Sequence, residues 1–205
     1  MLREKVITHR WLMDEAAKVV YLTLCPVERV KAELKHQGLN VSSLEIRVEA
    51  ARGGVNVSIK PLHGLKEYEE RALRMLGARF DRKRGQWLLS YKRLERTQPF
   101  HTPEALEKFL EEGFSGEEAL SATALFILRQ AKRAGIPKFI AGILSSKLLE
   151  IASKAEESEK AAREFLGYLR WFFEASEGVK LPEESEVDAR RLIEMLSTRY
   201  RQQIG

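Results

Sequence analysis

Segment 76–93 interleaves aromatic side chains with a dense run of basic ones. Between residues 71 and 96 the chain has nine lysines and arginines against only two carboxylates, Asp81 and Glu95. Aromatic rings stack on nucleobases, and cationic side chains contact phosphates, so this mixture is typical of proteins that bind single strands. The composition of the segment therefore predicts contact with single-stranded nucleic acid.

The candidate ligands in this segment form two groups. The aromatic residues that would stack on bases are Phe80, Trp87 and Tyr91. The basic residues that would follow the phosphates are Arg79, Arg82, Lys83, Arg84, Lys92 and Arg93. The alternative is an ordinary hairpin whose aromatic side faces a core, because alternation of apolar and polar residues also predicts burial of one face.

The same segment has the pattern of a β-hairpin. With residues 84 and 85 as its loop, Arg82 lies opposite Trp87 and Phe80 lies opposite Leu89. Side chains alternate between the two faces of a strand, so the aromatic residues share one face and most of the lysines and arginines point to the other. The functional question is which of these two faces meets solvent.

A second hairpin is predicted upstream, where segments 44–50 and 55–60 alternate apolar and polar residues. With glycines 53 and 54 as its loop, Arg47 lies opposite Lys60 on the polar side. Two like charges directly opposed destabilise a sheet unless an anion or neighbouring glutamates compensate. Arg47 and Lys60 are therefore further candidates for nucleic-acid contact, with a local lattice of salt bridges as the alternative.

These hairpins predict an α+β fold: a four-stranded antiparallel sheet of two hairpins packed with helices, followed by an all-helical C-terminal half. The sheet and its helices occupy a predicted nucleic-acid-binding region, 1–100, and the helical region is 101–205. Helices are expected at about 103–112, 116–134, 137–154, 157–176 and 183–203. Segment 9–24 mixes helical and β-rich signals, and its type stays open.

Charge is divided unevenly between the two regions. Residues 1–100 carry 20 lysines and arginines against 12 carboxylates, whereas residues 101–205 carry 15 against 18. A polyanion is therefore expected to meet the first region. Charged residues make up 32% of the chain and cysteine occurs once, a composition resembling that of proteins from thermophiles.

Several classes of function are disfavoured. The single cysteine, Cys25, excludes an internal disulfide and any zinc site built on cysteines, and the four histidines lack zinc-ligand spacing. No signal peptide or transmembrane span is expected, so the predicted compartment is the cytoplasm. Nucleotide-binding and hydrolase motifs are missing. The sequence predicts no enzyme, no cofactor and no metal, although Glu45, Glu49 and Asp81 offer a minor alternative as Mg²⁺ ligands of a nuclease.

The last predicted helix, within 183–203, carries an apolar seam. Its members recur at spacings of three and four residues and are Ala189, Leu192, Ile193, Leu196 and Tyr200. Such a seam can pair two copies of a chain, which predicts a homodimer. Packing against the chain's own helices is the alternative, because fewer than three heptads give a marginal isolated coiled coil.

This layout resembles ThermoDBP and related archaeal single-stranded DNA-binding proteins. The resemblance implies a basic, aromatic cleft on a four-stranded sheet, a helical C-terminus that dimerises, and protection of single-stranded DNA or RNA without catalysis. The pattern L-G-A-R-F-D-x(5)-W at 76–87 also resembles a β-hairpin of DNA-remodelling and helicase-associated modules. The alternative function is a helical scaffold or subunit of a larger ribonucleoprotein or CRISPR-type complex, with only peripheral RNA contact.

Overall fold

A computed structural model describes residues 7–51, 54–92, 102–133, 136–184 and 186–204. These residues form eight α-helices and four strands, and the predicted α+β fold is confirmed. In chain order the elements are α1 (His9–Leu24), α2 (Pro26–His36), β1 (Leu44–Ala51), β2 (Gly54–Pro61), α3 (Glu67–Met75), β3 (Arg79–Asp81), β4 (Gln86–Lys92), α4 (Thr102–Glu111), α5 (Gly116–Lys132), α6 (Lys138–Lys154), α7 (Ser158–Ala175) and α8 (Ala189–Ile204).

The chain divides into two compact units. The sheet unit contains α2, α3 and the four strands, and the helical unit contains α1 and α4 to α8. The N-terminal segment of undecided type is thus a helix of the helical unit. This division differs from the predicted region 1–100, because α1 does not belong with the sheet.

The four strands form one antiparallel sheet in the order β1-β2-β4-β3. In the first hairpin Ala51 pairs with Gly54 and Val48 with Val57, which moves the register by two residues from the predicted one. A shift of two residues leaves every side chain on its predicted face, because side chains alternate with period two. Lys60 therefore lies opposite Glu45, and the predicted opposition of Lys60 and Arg47 is wrong.

The second hairpin also has a different register, with Phe80 opposite Trp87. Its connection is the four-residue turn 82–85, so Arg82 lies in the turn and not on the aromatic face of a strand as predicted. The Asp81 carboxylate accepts hydrogen bonds from the backbone N–H groups of Lys83 (3.0 Å) and Arg84 (3.4 Å). These bonds stabilise a longer turn than the two-residue loop inferred from the sequence.

Gly85 completes this turn with φ +62°, a conformation that strains residues with a side chain. We expect Gly85→Ala to lower the free energy of unfolding of the sheet unit by about 1 kcal/mol. The matched control is Gly64→Ala, because Gly64 has no positive φ and nothing lies within 4 Å of an added Cβ. Urea denaturation would measure both variants, and equal stabilities would contradict the role given to Gly85.

Both helices of the sheet unit cover the same face of the sheet. Val30 and Leu34 of α2 and Leu73 of α3 pack in one buried cluster with residues of three strands: Leu44, Val57, Ile59, Trp87 and Leu89. The apolar sides of the helices and strands pack together in this cluster. The other face of the sheet therefore has no helix of this unit over it.

In the helical unit the predicted helices are present, with adjusted ends. The Ser115 and Glu118 capping box opens α5 as expected. Helix α8 begins at Ala189 and not near residue 183, because the Asp188 carboxylate accepts a hydrogen bond (2.7 Å) from the Arg191 backbone N–H and so caps the helix there. Among the described residues, no helix is long and apolar enough to cross a membrane.

The apolar seam of α8 is mostly used inside the chain. Ala189, Leu192 and Leu196 are buried, and α8 packs against α1. Ile193 and Tyr200 stay exposed, and the Tyr200 hydroxyl donates a hydrogen bond (2.9 Å) to the Ala175 carbonyl. The predicted dimerisation seam is therefore corrected: three of its five members serve packing within the chain and are not available to a second copy.

Candidate nucleic-acid interface

The aromatic face of the second hairpin belongs mainly to the core. The Trp87 side chain is only 3% exposed, and the Arg74 guanidinium carbon lies 5.6 Å from the centroid of its ring. A nucleobase cannot stack on a ring that protein atoms already cover. The predicted stacking role of Trp87 is thus corrected, because α3 and its neighbours occupy the space that a base would need.

Phe80 has a different environment although it shares the face of Trp87. Phe80 is 49% exposed, and its ring lies 5.2 Å, centroid to centroid, from the Trp87 ring. The difference arises because Phe80 is on β3, the short strand at the edge of the sheet. Phe80 is therefore the one predicted stacking residue whose ring is described as open to solvent.

The remaining predicted ligands, at the C-terminal end of β4, are described only in part. The backbones of Tyr91 and Lys92 pair with Val55 and Gly54. The side chains of Tyr91 and Lys92 lie outside the described part of the structure, and so does the whole of Arg93.

The opposite face of the sheet carries a continuous row of four side chains, one from each strand. Arg47 of β1 pairs with Ser58 of β2, Ser58 pairs with Leu88 of β4, and Leu88 pairs with Arg79 of β3. We call this set the cross-strand row. Neighbouring strands lie about 4.8 Å apart, so the two arginines stand about 14 Å from each other across the sheet. The row places a cation at each edge and two uncharged side chains between them.

The floor on either side of the cross-strand row is also polar and open. Asn56 and Ser90 lie on one side of it and are exposed, and the Ser90 hydroxyl donates a hydrogen bond (2.8 Å) to Asn56 Oδ1. Lys60 and Gln86 lie on the other side, next to the turn. The polar face thus forms a platform along β2 and β4 whose side chains are mostly polar and uncharged.

Basic residues of both hairpins converge at the turn end of this platform. A cavity of about 140 Å³ is lined by Glu45, Arg47, Ser58, Lys60, Arg84 and Gln86. Arg82 and Lys83 project from the same turn and are exposed. The structure therefore brings together Arg47, Lys60 and Arg84, three predicted ligands that lie up to 37 residues apart in the chain.

Most of these cations have no acidic partner in the described part of the chain. Arg47 Nε donates a hydrogen bond (2.9 Å) to Glu45 Oε1. Within the described ranges no carboxylate forms an ion pair with the other basic residues of the surface, which are Lys60, Arg79, Arg82, Lys83 and Arg84. Unpaired cations on one surface create a positive potential that attracts an anionic ligand.

Ion pairs in the helical unit show the contrast. Arg163 Nε donates a hydrogen bond (2.6 Å) to Glu107, which lowers the pKa of the Glu107 carboxyl below its ordinary value although partial burial opposes the shift. Arg170 makes ion pairs with both Glu104 and Glu174. Such cations are already neutralised by protein carboxylates, whereas Arg79, Arg82, Lys83 and Arg84 of the second hairpin have no such partner among the described residues.

The carboxylates proposed as nuclease ligands are not brought together. Glu45 and Glu49 lie on β1 at one edge of the sheet, and Asp81 lies on β3 at the other edge. The Asp81 carboxylate also accepts a hydrogen bond from the backbone N–H of Lys83 in the turn. No group of three metal-ligating side chains is found in the described part of the chain.

Sequence reasoning missed the middle of the platform, which consists of Asn56, Ser58, Leu88 and Ser90. These residues become neighbours only because β2 pairs with β4. That pairing joins the two hairpins, and the alternation within each hairpin does not predict it. The available signal was the presence of short side chains at alternate positions on both strands.

No protein family, curated protein or solved structure matches this chain. The resemblance to ThermoDBP-like proteins accordingly stays a prediction from the sequence. A function is therefore inferred from the geometry of the platform and from its charges.

Proposed function

We propose that the sheet unit binds single-stranded DNA or RNA on the polar face of its sheet, with little dependence on sequence and without catalysis. The cross-strand row is the observation that carries this proposal, because it sets an exposed arginine at each edge of the floor: Arg79, which has no ion-pair partner among the described residues, and Arg47, which pairs with Glu45. Cations at the edges contact phosphates, and the floor between them receives the sugars and bases.

The ligand is expected to be a single strand because an apolar group lies on this surface. Leu88 is half-buried in the middle of the platform, whereas the exposed Phe80 lies on the opposite face and is not part of the platform. An apolar side chain such as Leu88 contacts the faces of bases, which are free in a single strand and already stacked in a duplex. Contacts to base faces and phosphates discriminate little between sequences, which supports the tolerance to sequence.

Fluorescence anisotropy with the full chain and labelled single-stranded DNA tests the proposal. If Arg47, Lys60, Arg79 and Arg84 each neutralise one phosphate, the logarithm of affinity should fall linearly with the logarithm of salt concentration, with a slope of about −3. Unlabelled single-stranded RNA should compete, and a duplex of the same length should compete poorly. Binding that does not respond to salt, or stronger competition by the duplex, would contradict the proposal.

A further inference from the structure

The cavity at the turn end of the platform differs from the rest of the polar face. Arg47 comes from β1, Lys60 from β2 and Arg84 from the turn, so three cations from three segments line a space of about 140 Å³. Two uncharged groups that can donate hydrogen bonds, the Ser58 hydroxyl and the Gln86 amide, complete the lining. Three cations and two neutral donors around one small space suit a compact oxyanion.

The balance of charge in the cavity indicates the charge of its ligand. Among the described residues that line the cavity Glu45 is the only carboxylate, and it accepts hydrogen bonds from Arg47. Lys60 and Arg84 have no ion-pair partner among the described residues. The lining therefore carries an excess of two positive charges. A phosphate monoester has a charge of about −1.5 to −2 at pH 7, whereas each internal phosphodiester of a strand has a charge of −1.

The position of the cavity indicates which part of a strand would reach it. Lys60 lies one residue before the end of β2, and Gln86 is the first residue of β4. A strand that follows the floor along β2 and β4 therefore reaches the cavity where the platform ends, with Arg84 of the turn beside it. The last group of such a strand, and not an internal one, would fill the space.

We infer that this cavity binds the terminal phosphate monoester of a nucleic-acid strand, so that the protein prefers strands with a phosphorylated end. The inference rests on the proposed function, since the same platform holds the rest of the strand. Arg84 and Lys60 pair with the dianion, and Ser58 and Gln86 donate hydrogen bonds to its oxygens. A monoester offers three free oxygens to these four donor side chains, whereas a diester offers only two.

The test compares three oligonucleotides of one sequence: one with a 5′ phosphate, one with a 3′ phosphate and one with hydroxyl groups at both ends. Competition against a labelled unphosphorylated strand, with the full chain, measures their affinities at one salt concentration. We expect one of the phosphorylated strands to bind about tenfold more tightly than the unphosphorylated strand. Which end is preferred reports the direction in which the strand lies on the platform.

The variant Arg84→Gln separates this site from the rest of the platform. It should reduce the tenfold preference to less than about twofold, and Arg71→Gln, on the outer side of α3, should retain the preference. Circular dichroism confirms that both variants fold. Equal binding of the three oligonucleotides to the wild-type chain would overturn the inference and leave the proposed function intact. If none of the three binds, the proposed function itself fails.

Discussion

Replacing Trp87 by alanine should lower the free energy of unfolding of the sheet unit by about 3–5 kcal/mol, the range measured for large aromatic residues in cores. Trp87 is only 3% exposed and belongs to the cluster formed by α2, α3 and the sheet. Its removal leaves a cavity that surrounding side chains fill only partly. Denaturant unfolding followed by circular dichroism would measure the loss. Because a small unit has a total stability of this order, the variant is expected to be largely unfolded.

Phe80→Ala is the matched control for Trp87→Ala. The two rings are neighbours on one face of the hairpin, but Phe80 is 49% exposed and loses fewer contacts on truncation. Its cost in stability should be about 1 kcal/mol, and the variant should remain folded. A Trp87→Ala protein with wild-type stability and impaired binding of single strands would contradict the assignment of Trp87 to the core.

Removing both cations of the cross-strand row should weaken binding of single strands without unfolding the protein. Arg47→Gln combined with Arg79→Gln is expected to lower affinity about 100-fold at about 0.1 M salt, from about 1.5 kcal/mol for each hydrogen bond to a charged group. The slope of log affinity against log salt should become less negative by about 1.4, because two fewer phosphates are neutralised. Both arginines are exposed, so the structure of the sheet should persist.

The control for this double variant removes two positive charges from the other side of the sheet unit. Lys35 of α2 and Arg71 of α3 are exposed residues of the helices that cover the opposite face. The double variant Lys35→Gln, Arg71→Gln should retain affinity to within about threefold, because long-range attraction is screened over a Debye length of about 10 Å at 0.1 M salt. Equal losses in the two double variants would show that only net charge matters and that the cross-strand row is not a binding surface.

The faces of the strands could be predicted from the sequence, but the registers of both hairpins could not. The pairing of Val48 with Val57 and of Phe80 with Trp87 differs by two residues from the predicted pairing. Turn type sets the register, and several turns were compatible with the glycines and charged residues at each hairpin loop. An error of two residues in register leaves every side chain on the same face of the sheet. The apolar faces of the strands were therefore still predicted correctly.

The exposure of the cationic residues was predicted better than that of the aromatic ones. An arginine such as Arg84 in an exposed turn stays in solvent in almost any fold, so its availability follows from local sequence. The availability of an aromatic ring depends on what packs over it. Trp87 and Phe80 share a face, yet α3 and the core cover the first and the sheet edge exposes the second.

The sequence by itself determined the excess of positive charge in segment 76–93 and the division of each strand into an apolar and a polar face. Both are local properties, since charge is a matter of composition and alternation repeats every two residues. Only the tertiary structure decided that the polar face is the open one and that Arg47 and Arg79 stand in one row across it. Those outcomes depend on where α2 and α3 pack and on the pairing of β2 with β4, contacts between distant parts of the chain that local patterns do not encode.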